Sequence, residues 1–360
     1  MARAIELAKR GIGFVNPNPL VGAVIVKNGK IIGEGFHEKY GELHAERNAL
    51  KNCTENPCGA QMYVTLEPCC HYGKNPPCTD AVIESGIKKV YVGSSDPNPL
   101  VAGKGIRQLR EHGIEVVENV MRSECDAIND IFFHFITTNE PYLILKTAAT
   151  ADGKTATVTG SSKWITNEKS RRHVHETRKR AAAILTGIGT VLADNPMLDC
   201  RIENPSNPVR FIADSRLRIP LDCRIVQTAR ENPTYVAAAF GDSEKEERLK
   251  KMGVNVIYTN PKDGHVDFAE LIKKIGDMKL DSVLAEGGTA VNTALIKSGK
   301  VNKLQIYTAP KITGGDGKNI FDALGITDIN NAVMLKNPMV QLFDDDILTE
   351  YEVIAKCLPE

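Results

Sequence analysis

Hydrophobic and polar positions divide the chain into short alternating elements. Apolar positions at Ala4, Ile5 and Ala8 predict a helix over residues 2–10, ended at Gly11. Asn16-Pro17-Asn18-Pro19 marks a turn. The apolar run over residues 20–26 reads as a strand. Lys27-Asn28-Gly29-Lys30 reads as an Asn-Gly hairpin turn, and residues 31–36 as the returning strand. The pattern then predicts a helix over 45–50, a buried strand over 62–66 and a helix over 79–85 stopped by Gly86. A strand over 89–93, a helix over 105–112 and a strand over 114–116 follow. One helix over 125–137 is predicted to end before Asn139-Glu140-Pro141.

A second series opens with a strand over 142–146. Further strands are predicted over 182–186, 209–213, 234–239, 254–258, 282–285 and 304–309. Alternation of strand and helix in both series places the chain in the α/β class. The break near Pro141 predicts two domains, 1–141 and 142–360, which the 360-residue length accommodates.

Composition narrows the picture. With 42% hydrophobic residues and a formal net charge of zero, the chain has the material for a core and is not a disordered segment. No run of about 18 apolar residues is present, which argues against a membrane span. Met1-Ala2-Arg3-Ala4-Ile5-Glu6 contains no apolar signal core, so a cytoplasmic protein is expected. Residues 1–145 carry 15 basic and 17 acidic side chains, without the basic excess of a nucleic-acid binder. Nine cysteines in such a chain are expected as metal ligands or ordinary thiols rather than disulfides.

Candidate chemistry concentrates between residues 44 and 78. His44-Ala45-Glu46 opens a predicted helix, Glu67-Pro68-Cys69-Cys70 follows a buried strand, and Pro76-Pro77-Cys78 precedes another helix. A histidine, a glutamate two residues on, then Pro-Cys and a further Cys form the signature of a zinc deaminase. Three protein ligands (His44, Cys69 and Cys78) would leave a fourth position for water. Zinc lowers the pKa of such a water toward ~7. Glu46 would take the water proton and deliver it to the ring nitrogen and the leaving ammonia. Cys70 competes with Cys69 as a ligand on paper, but adjacent side chains rarely face one metal. A structural zinc site closed by His71 is the competing reading, and a non-catalytic zinc-stabilised module its extreme form.

Other runs make the resemblance specific. Asn18-Pro19-Leu20-Val21-Gly22, His44-Ala45-Glu46, residues 67–78 and Asp96-Pro97-Asn98-Pro99-Leu100-Val101-Ala102-Gly103-Lys104-Gly105 resemble the RibD family of bifunctional riboflavin biosynthesis proteins. The nine-residue spacing from Cys69 to Cys78 is that family's own. Cys70 stands where serine is common, and Thr150-Ala151-Asp152-Gly153 where a Ser-Leu-Asp-Gly run is usual.

The resemblance spans essentially the whole chain. It implies a cytidine-deaminase-like α/β/α domain followed by a dihydrofolate-reductase-like α/β domain. The first would deaminate 2,5-diamino-6-(5-phosphoribosylamino)pyrimidin-4(3H)-one. The second would reduce the ribosyl group of 5-amino-6-(5-phosphoribosylamino)uracil to ribityl with NADPH. The implied partners are thus small phosphorylated pyrimidines, with neither nucleic acid nor membrane, and a homo-oligomer. One Zn2+ per chain and NADPH are the implied cofactors. A nucleic-acid deaminase fused to an unrelated reductase is the alternative, disfavoured by the charge balance.

By the same resemblance, Asn18, His37, His71, Lys74, Asp96 and Asn98 surround the first substrate. Asn18 and Asp96 suit a ring edge, and Lys74 suits a phosphate as a point charge; as neighbours of proline, Asn18 and Asp96 also suit turns.

In the second half, Lys163, Lys169, Arg171, Arg172, Arg178, Lys179 and Arg180 face only Glu168 and Glu176 across residues 163–180. Such a stretch suits a phosphorylated ligand or is a solvated helix face. Gly187-Ile188-Gly189-Thr190 follows a strand but has Leu192 where a third dinucleotide-binding glycine would stand. Glu286-Gly287-Gly288-Thr289 also follows a strand and opens a helix. Two half-motifs argue for a nucleotide fold that is not Rossmann.

The resemblance implies cofactor contacts at Ala148, Trp164, Thr190, Asp194, Ser215, Gly288, Thr289, Ala290, Val291, Asn292, Thr293 and Ala294. It implies substrate contacts at Lys146, Ser162, Arg178, Leu198, Arg201 and Glu286, with Arg178 and Arg201 clamping the ribose phosphate. Lys146 and Asp194 are expected near the carbon that accepts hydride. Analogy with dihydrofolate reductases further implies a cis Gly287–Gly288 peptide.

Overall fold

The Asn-Gly signal closes as a two-residue hairpin. Lys27 pairs with Lys30 across strands Gly22–Lys27 and Lys30–Phe36. Asn28 and Gly29 both have positive φ, 51° and 77°, the geometry that matches the twist of the flanking strands. A computed structural model describes residues 1–72, 76–98 and 101–354. The chain divides into two compact units, Met1–Asn139 and Glu140–Glu360, two residues before the predicted seam.

In the first unit the hairpin lies antiparallel against Gln61–Leu66, which runs parallel to Lys89–Ser94 and then Glu115–Val117. The parallel strands carry Met62, Val64, Val90 and Val92, all buried against Ala45 and Ala49 of helix Ala45–Lys51, Val82 of helix Cys78–Glu84, and Ile106 and Leu109 of helix Lys104–Glu111. A parallel sheet needs such cover on its faces, which is why these strands read as continuous apolar runs. The loops after Leu66 and Ser94 leave the same end of two adjacent parallel strands, the end at which open α/β sheets hold ligands.

The single helix expected over 125–137 is two helices, Arg122–Ile128 and Asp130–Thr138. Asn129 breaks it for a reason. Its buried amide accepts from the Leu20 N–H at 2.8 Å and donates to the Leu20 carbonyl at 2.9 Å. A side chain that copies a strand's hydrogen-bonding pair tethers the Asn18-Pro19-Leu20 loop to the helical layer.

The second unit is built on a nine-stranded sheet. Its parallel part runs Val254–Tyr258, Thr234–Ala238, Val209–Ala213, Ala183–Gly187, Ser282–Ala285, Tyr142–Thr150 and Val301–Ala309. Asp346–Ile354 and Met334–Phe343 complete it antiparallel. That terminal hairpin escapes the hydrophobic pattern because the edge strand is largely exposed, with Met339, Val340 and Leu342 about two-thirds open to solvent. Leu143, Leu145, Leu185, Phe211 and Val283 form the centre of one core against helices Phe268–Asp277 and Thr289–Lys297. The expected cis Gly287–Gly288 peptide is trans; cis bonds occur instead at Asn16–Pro17 and Lys163–Trp164. Among the described residues, no helix is long and apolar enough to cross a membrane.

Candidate active sites

His44 sits immediately before helix Ala45–Lys51 in an extended conformation, which turns its ring back toward the loop after Leu66. Its Nδ1 lies 3.5 Å from Cys69 Sγ and 3.4 Å from Cys78 Sγ. Bonds of about 2.0–2.1 Å to nitrogen and 2.3 Å to sulfur at a tetrahedral angle place N and S about 3.5 Å apart, so the three atoms fit one zinc ion. They form a His–Cys–Cys group with no fourth protein ligand among the described residues. Cys70 and His71 both fall outside this group, against their alternative roles as ligands.

The Cys78 N–H donates to Cys69 Sγ at 3.3 Å. Bonding from Cys78 and His44 draws the Cys69 thiol far below its ordinary range, favouring the thiolate that a metal needs. Glu46 occupies the first turn of the same helix and is buried, with its carboxyl against Cys78. Burial, reinforced by the negative Cys69, raises its proton affinity. A carboxyl beside the metal position but outside the ligand set is a proton carrier in the place where one is needed.

Around this centre, His37 Nδ1 donates to the Leu43 carbonyl at 3.0 Å, leaving Nε2 to accept from Asn18 Nδ2 at 3.1 Å. Burial keeps His37 neutral, consistent with that tautomer. The pairing orients the Asn18 amide so that its oxygen remains as an acceptor for an amino group or ring N–H. Asp96 follows the adjacent strand; its Oδ1 accepts from the Asn98 N–H at 2.8 Å, and burial pushes its carboxyl up to about 6. His71 Nδ1 is buried with no hydrogen-bond partner among the described residues, an atom that a bound ring can complete. Lys74 lies outside the described residues.

Glu67 was legible in the sequence only as the residue before Pro68-Cys69, yet it organises this wall. Its buried carboxylate accepts from the N–H groups of Gly103 at 3.0 Å, Gly105 at 3.0 Å, Ile106 at 3.2 Å and Asp96 at 3.4 Å. An acidic residue two before the first cysteine was the available signal, because a carboxylate is the natural cap for helix Lys104–Glu111.

In the second unit the two half-motifs become one site. Strands Ala183–Gly187 and Ser282–Ala285 are parallel neighbours, so Gly187 and Gly287 lie side by side. A Cβ on either would come within 2.6 Å of the Val291 side chain, whereas one on Gly189 or Gly288 would meet nothing within 4 Å. One glycine of each motif permits packing, and the other faces open space. The resulting cavity of 550 Å³ is lined by Gly189, Ser215, Phe268, Ala290 and Ala294 and rimmed by Arg216 and Arg218. An apolar floor, a helix N-terminus and a basic rim fit a dinucleotide phosphate.

The next expected contact residues lie on helix Thr289–Lys297. The Val291 side chain packs beneath the glycines, and Asn292 and Thr293 are buried. Asn292 donates to the Ile320 carbonyl, and Thr293 Oγ1 to that of Thr289. Val291 still lines the cavity beside Ala290 and Ala294, whereas the Asn292 and Thr293 side chains are turned to these internal partners. The Leu198 side chain is buried in the core and its φ is 55°. Thr190 lies in helix Ile188–Asp194, and Thr289 Oγ1 donates to the Asn319 carbonyl. Ala148 is on the strand beside Lys146, Ser162 is half-buried, and exposed Trp164 stacks beneath Arg171 at 4.6 Å. Asp194 pairs with Lys163 at 2.9 Å.

Arg178, an expected substrate contact, is held in place by Glu286. Its Nε and Nη2 bind the Glu286 carboxylate at 2.6 and 3.1 Å, and Nη1 donates to the Asp199 carbonyl at 2.9 Å. Lys146 Nζ meets the same carboxylate at 3.3 Å. Burial alone would raise Glu286, but these two cations outweigh it and hold the group far below the usual carboxylate range. Lys163 and Lys169 are likewise paired with Asp194 and Asp344, so part of the basic stretch is a salt-bridged helix face. Arg201 remains exposed near this triad.

Fold and sites together define a zinc-dependent deaminase centre followed by a nucleotide-binding reductase unit. Residues 1–94 match the family described as the cytidine and deoxycytidylate deaminase zinc-binding region, and residues 141–349 match the RibD C-terminal domain. The chain is 53% identical over 356 residues to the riboflavin biosynthesis protein RibD of Actinobacillus pleuropneumoniae, covering 99% of this chain and 95% of that protein. It is 38% identical to the Escherichia coli RibD, covering 96% of each. A crystal structure from Thermotoga maritima, titled as a diaminohydroxyphosphoribosylaminopyrimidine deaminase/5-amino-6-(5-phosphoribosylamino)uracil reductase, superposes with a TM-score of 0.88 at 38% identity, covering 98% of this chain and 97% of that one. The chain belongs to the RibD family: it is a bifunctional deaminase and reductase of riboflavin biosynthesis that uses zinc and NADPH.

Proposed function

We propose that residues 1–141 carry out the hydrolytic deamination of 2,5-diamino-6-(5-phosphoribosylamino)pyrimidin-4(3H)-one and residues 142–360 the NADPH-dependent reduction of the deaminated product. The carrying observation is the His44–Cys69–Cys78 group with Glu46 buried beside it. When bound, zinc supplies the Lewis acidity that acidifies water, and NADPH supplies hydride. The chain's residues do the rest. Glu46 moves the proton from water to the ring and the departing ammonia. Asn18 accepts from the ring edge while His37 fixes its amide, Asp96, His71 and Asn98 bind the pyrimidine or its ribose phosphate, and Lys74 supplies a point charge to the phosphate. Lys146 and Glu286 hold the sugar beside the nucleotide site, and Arg178 and Arg201 take its phosphate.

The test incubates the full chain with the diaminopyrimidine phosphoriboside and NADPH and follows ammonia and NADPH together. Ammonia release is expected first, with NADPH consumed only as deaminated product accumulates. NADPH oxidation without prior ammonia would overturn this order.

We also propose that the protein works in the cytoplasm as a homo-oligomer. The edge strand Met334–Phe343 exposes Met339, Val340 and Leu342 on a sheet end that a second copy can cover. Light scattering is expected to give a multiple of 39.4 kDa, and a single-chain mass would refute the proposal.

A further inference from the structure

Asp199, Cys200 and Arg201 pass beside helix Glu168–Arg180, and the contact is made on His175. Cys200 Sγ donates to the His175 carbonyl at 3.3 Å, which holds the two segments together. The imidazole itself faces two donors from one residue. The Arg201 backbone N–H points at Nδ1 at 3.2 Å, and the Arg201 guanidinium Nη2 stands 3.3 Å from Nε2.

A neutral imidazole has one acceptor nitrogen, and the other carries its proton. The backbone donor is fixed by the chain, whereas the guanidinium is on a flexible, exposed side chain. Nδ1 is therefore the acceptor, and Nε2–H faces a second N–H donor. Burial and the neighbouring Arg178 and Arg201 press the ring's pKa down to about 4, so it is neutral in the free protein. The charged groups facing it are Arg178 on its own helix, Asp199 and Arg201 on the adjoining segment, and Glu286 after strand Ser282–Ala285. Glu286 is already held by Arg178 and Lys146, and Asp199 Oδ1 by Arg201 Nη1 at 2.6 Å.

Two N–H groups opposed across such a gap lack one thing, an acceptor common to both. We propose that His175 is a phosphate-binding residue of the reductase site, donating its Nε2–H together with the Arg201 guanidinium to the ribosyl phosphate of the substrate. The proposal rests on the reading that Arg201 faces that phosphate. His175 thereby helps distinguish the phosphorylated substrate from its riboside, and sequence inspection missed it because His173 and His175 look alike on one basic helix. His173 is engaged elsewhere, its Nδ1 2.7 Å from the Tyr307 hydroxyl.

Calorimetry on the full chain tests this with 5-amino-6-(5-phosphoribosylamino)uracil and its dephosphorylated riboside as probes. A hydrogen bond to a charged group corresponds to about a ten- to hundredfold change in Kd. His175→Ala is expected to weaken the phosphorylated probe by about that factor and leave the riboside unchanged. His175→Gln keeps a neutral N–H donor and should restore most of the difference, which a merely structural role would not produce. Equal weakening of both probes by His175→Ala overturns the proposal. If Arg201→Ala is selective for the phosphorylated probe and His175→Ala is not, His175 alone is misassigned. If neither variant is selective, the phosphate lies elsewhere and the reading of Arg201 fails with it.

Discussion

Glu46→Gln is expected to retain one zinc per chain and to lose deamination by at least 10²–10⁴-fold, the range that a positioned proton carrier contributes. The substitution keeps the side-chain shape in a buried pocket but removes the oxygen that can hold a proton. The three ligand atoms stay on His44, Cys69 and Cys78. NADPH oxidation on the deaminated intermediate is expected to be unchanged, because the reductase machinery lies in the separate unit beginning at Glu140. Ammonia release, metal content and NADPH absorbance read the three quantities independently. Normal ammonia release would remove Glu46 from the mechanism. Loss of zinc together with activity would instead make Glu46 part of the metal's support. Cys78→Ala gives the contrasting pattern: loss of both zinc and ammonia release, because two protein ligands are too few for a catalytic zinc site.

The deaminase centre was legible because its chemistry is local and unusual. A histidine and a glutamate two residues apart, and cysteines at a strand exit and a helix entry, are constrained by one ion, so their types and spacing announce it. The residues that aim these groups were not legible. Asn129 and Glu67 act on backbone atoms of Leu20 and of residues 96–106, and any residue presents a backbone N–H, so no pattern marks the partner. Asn129 also interrupted a helix whose apolar periodicity runs straight through it.

The reductase site was half legible for a different reason. Each glycine motif was visible, but their union depends on strand order, which places the strand ending at Gly187 beside the one ending at Ala285. The charge pattern was incomplete at Arg178, since composition counts a cation without showing that Glu286, more than a hundred residues away in sequence, binds it. The terminal hairpin was missed because hydrophobic alternation records burial, and its outer strand is not buried.

That buried triad carries the second large effect. Glu286→Gln is expected to destabilise the C-terminal unit by about 3–5 kcal/mol, the cost of removing one partner from a buried ion pair. For a unit of this size, that lowers its unfolding midpoint by roughly 10 °C. The cause is the two cations left behind: Arg178 and Lys146 remain beside a neutral amide, with the Asp199 carbonyl still accepting from Arg178. The pH dependence has a definite sign. The folded-state pKa of Glu286 is depressed, so its stabilisation is fully present above the unfolded value of about 4.3 and fades as pH falls toward the lower folded value. The gap between wild type and variant should therefore be widest near neutrality and narrow steadily below about pH 4. Thermal unfolding followed across that range checks both size and slope. A companion substitution separates charge imbalance from lost packing. Adding Arg178→Met to Glu286→Gln removes a charge of each sign and is expected to recover part of the lost stability, as apolar replacement of buried pairs does elsewhere. If the double variant is no more stable than Glu286→Gln alone, the loss does not come from a stranded Arg178 charge. Equal stability of wild type and Glu286→Gln at neutral pH would show that the triad contributes nothing to the fold.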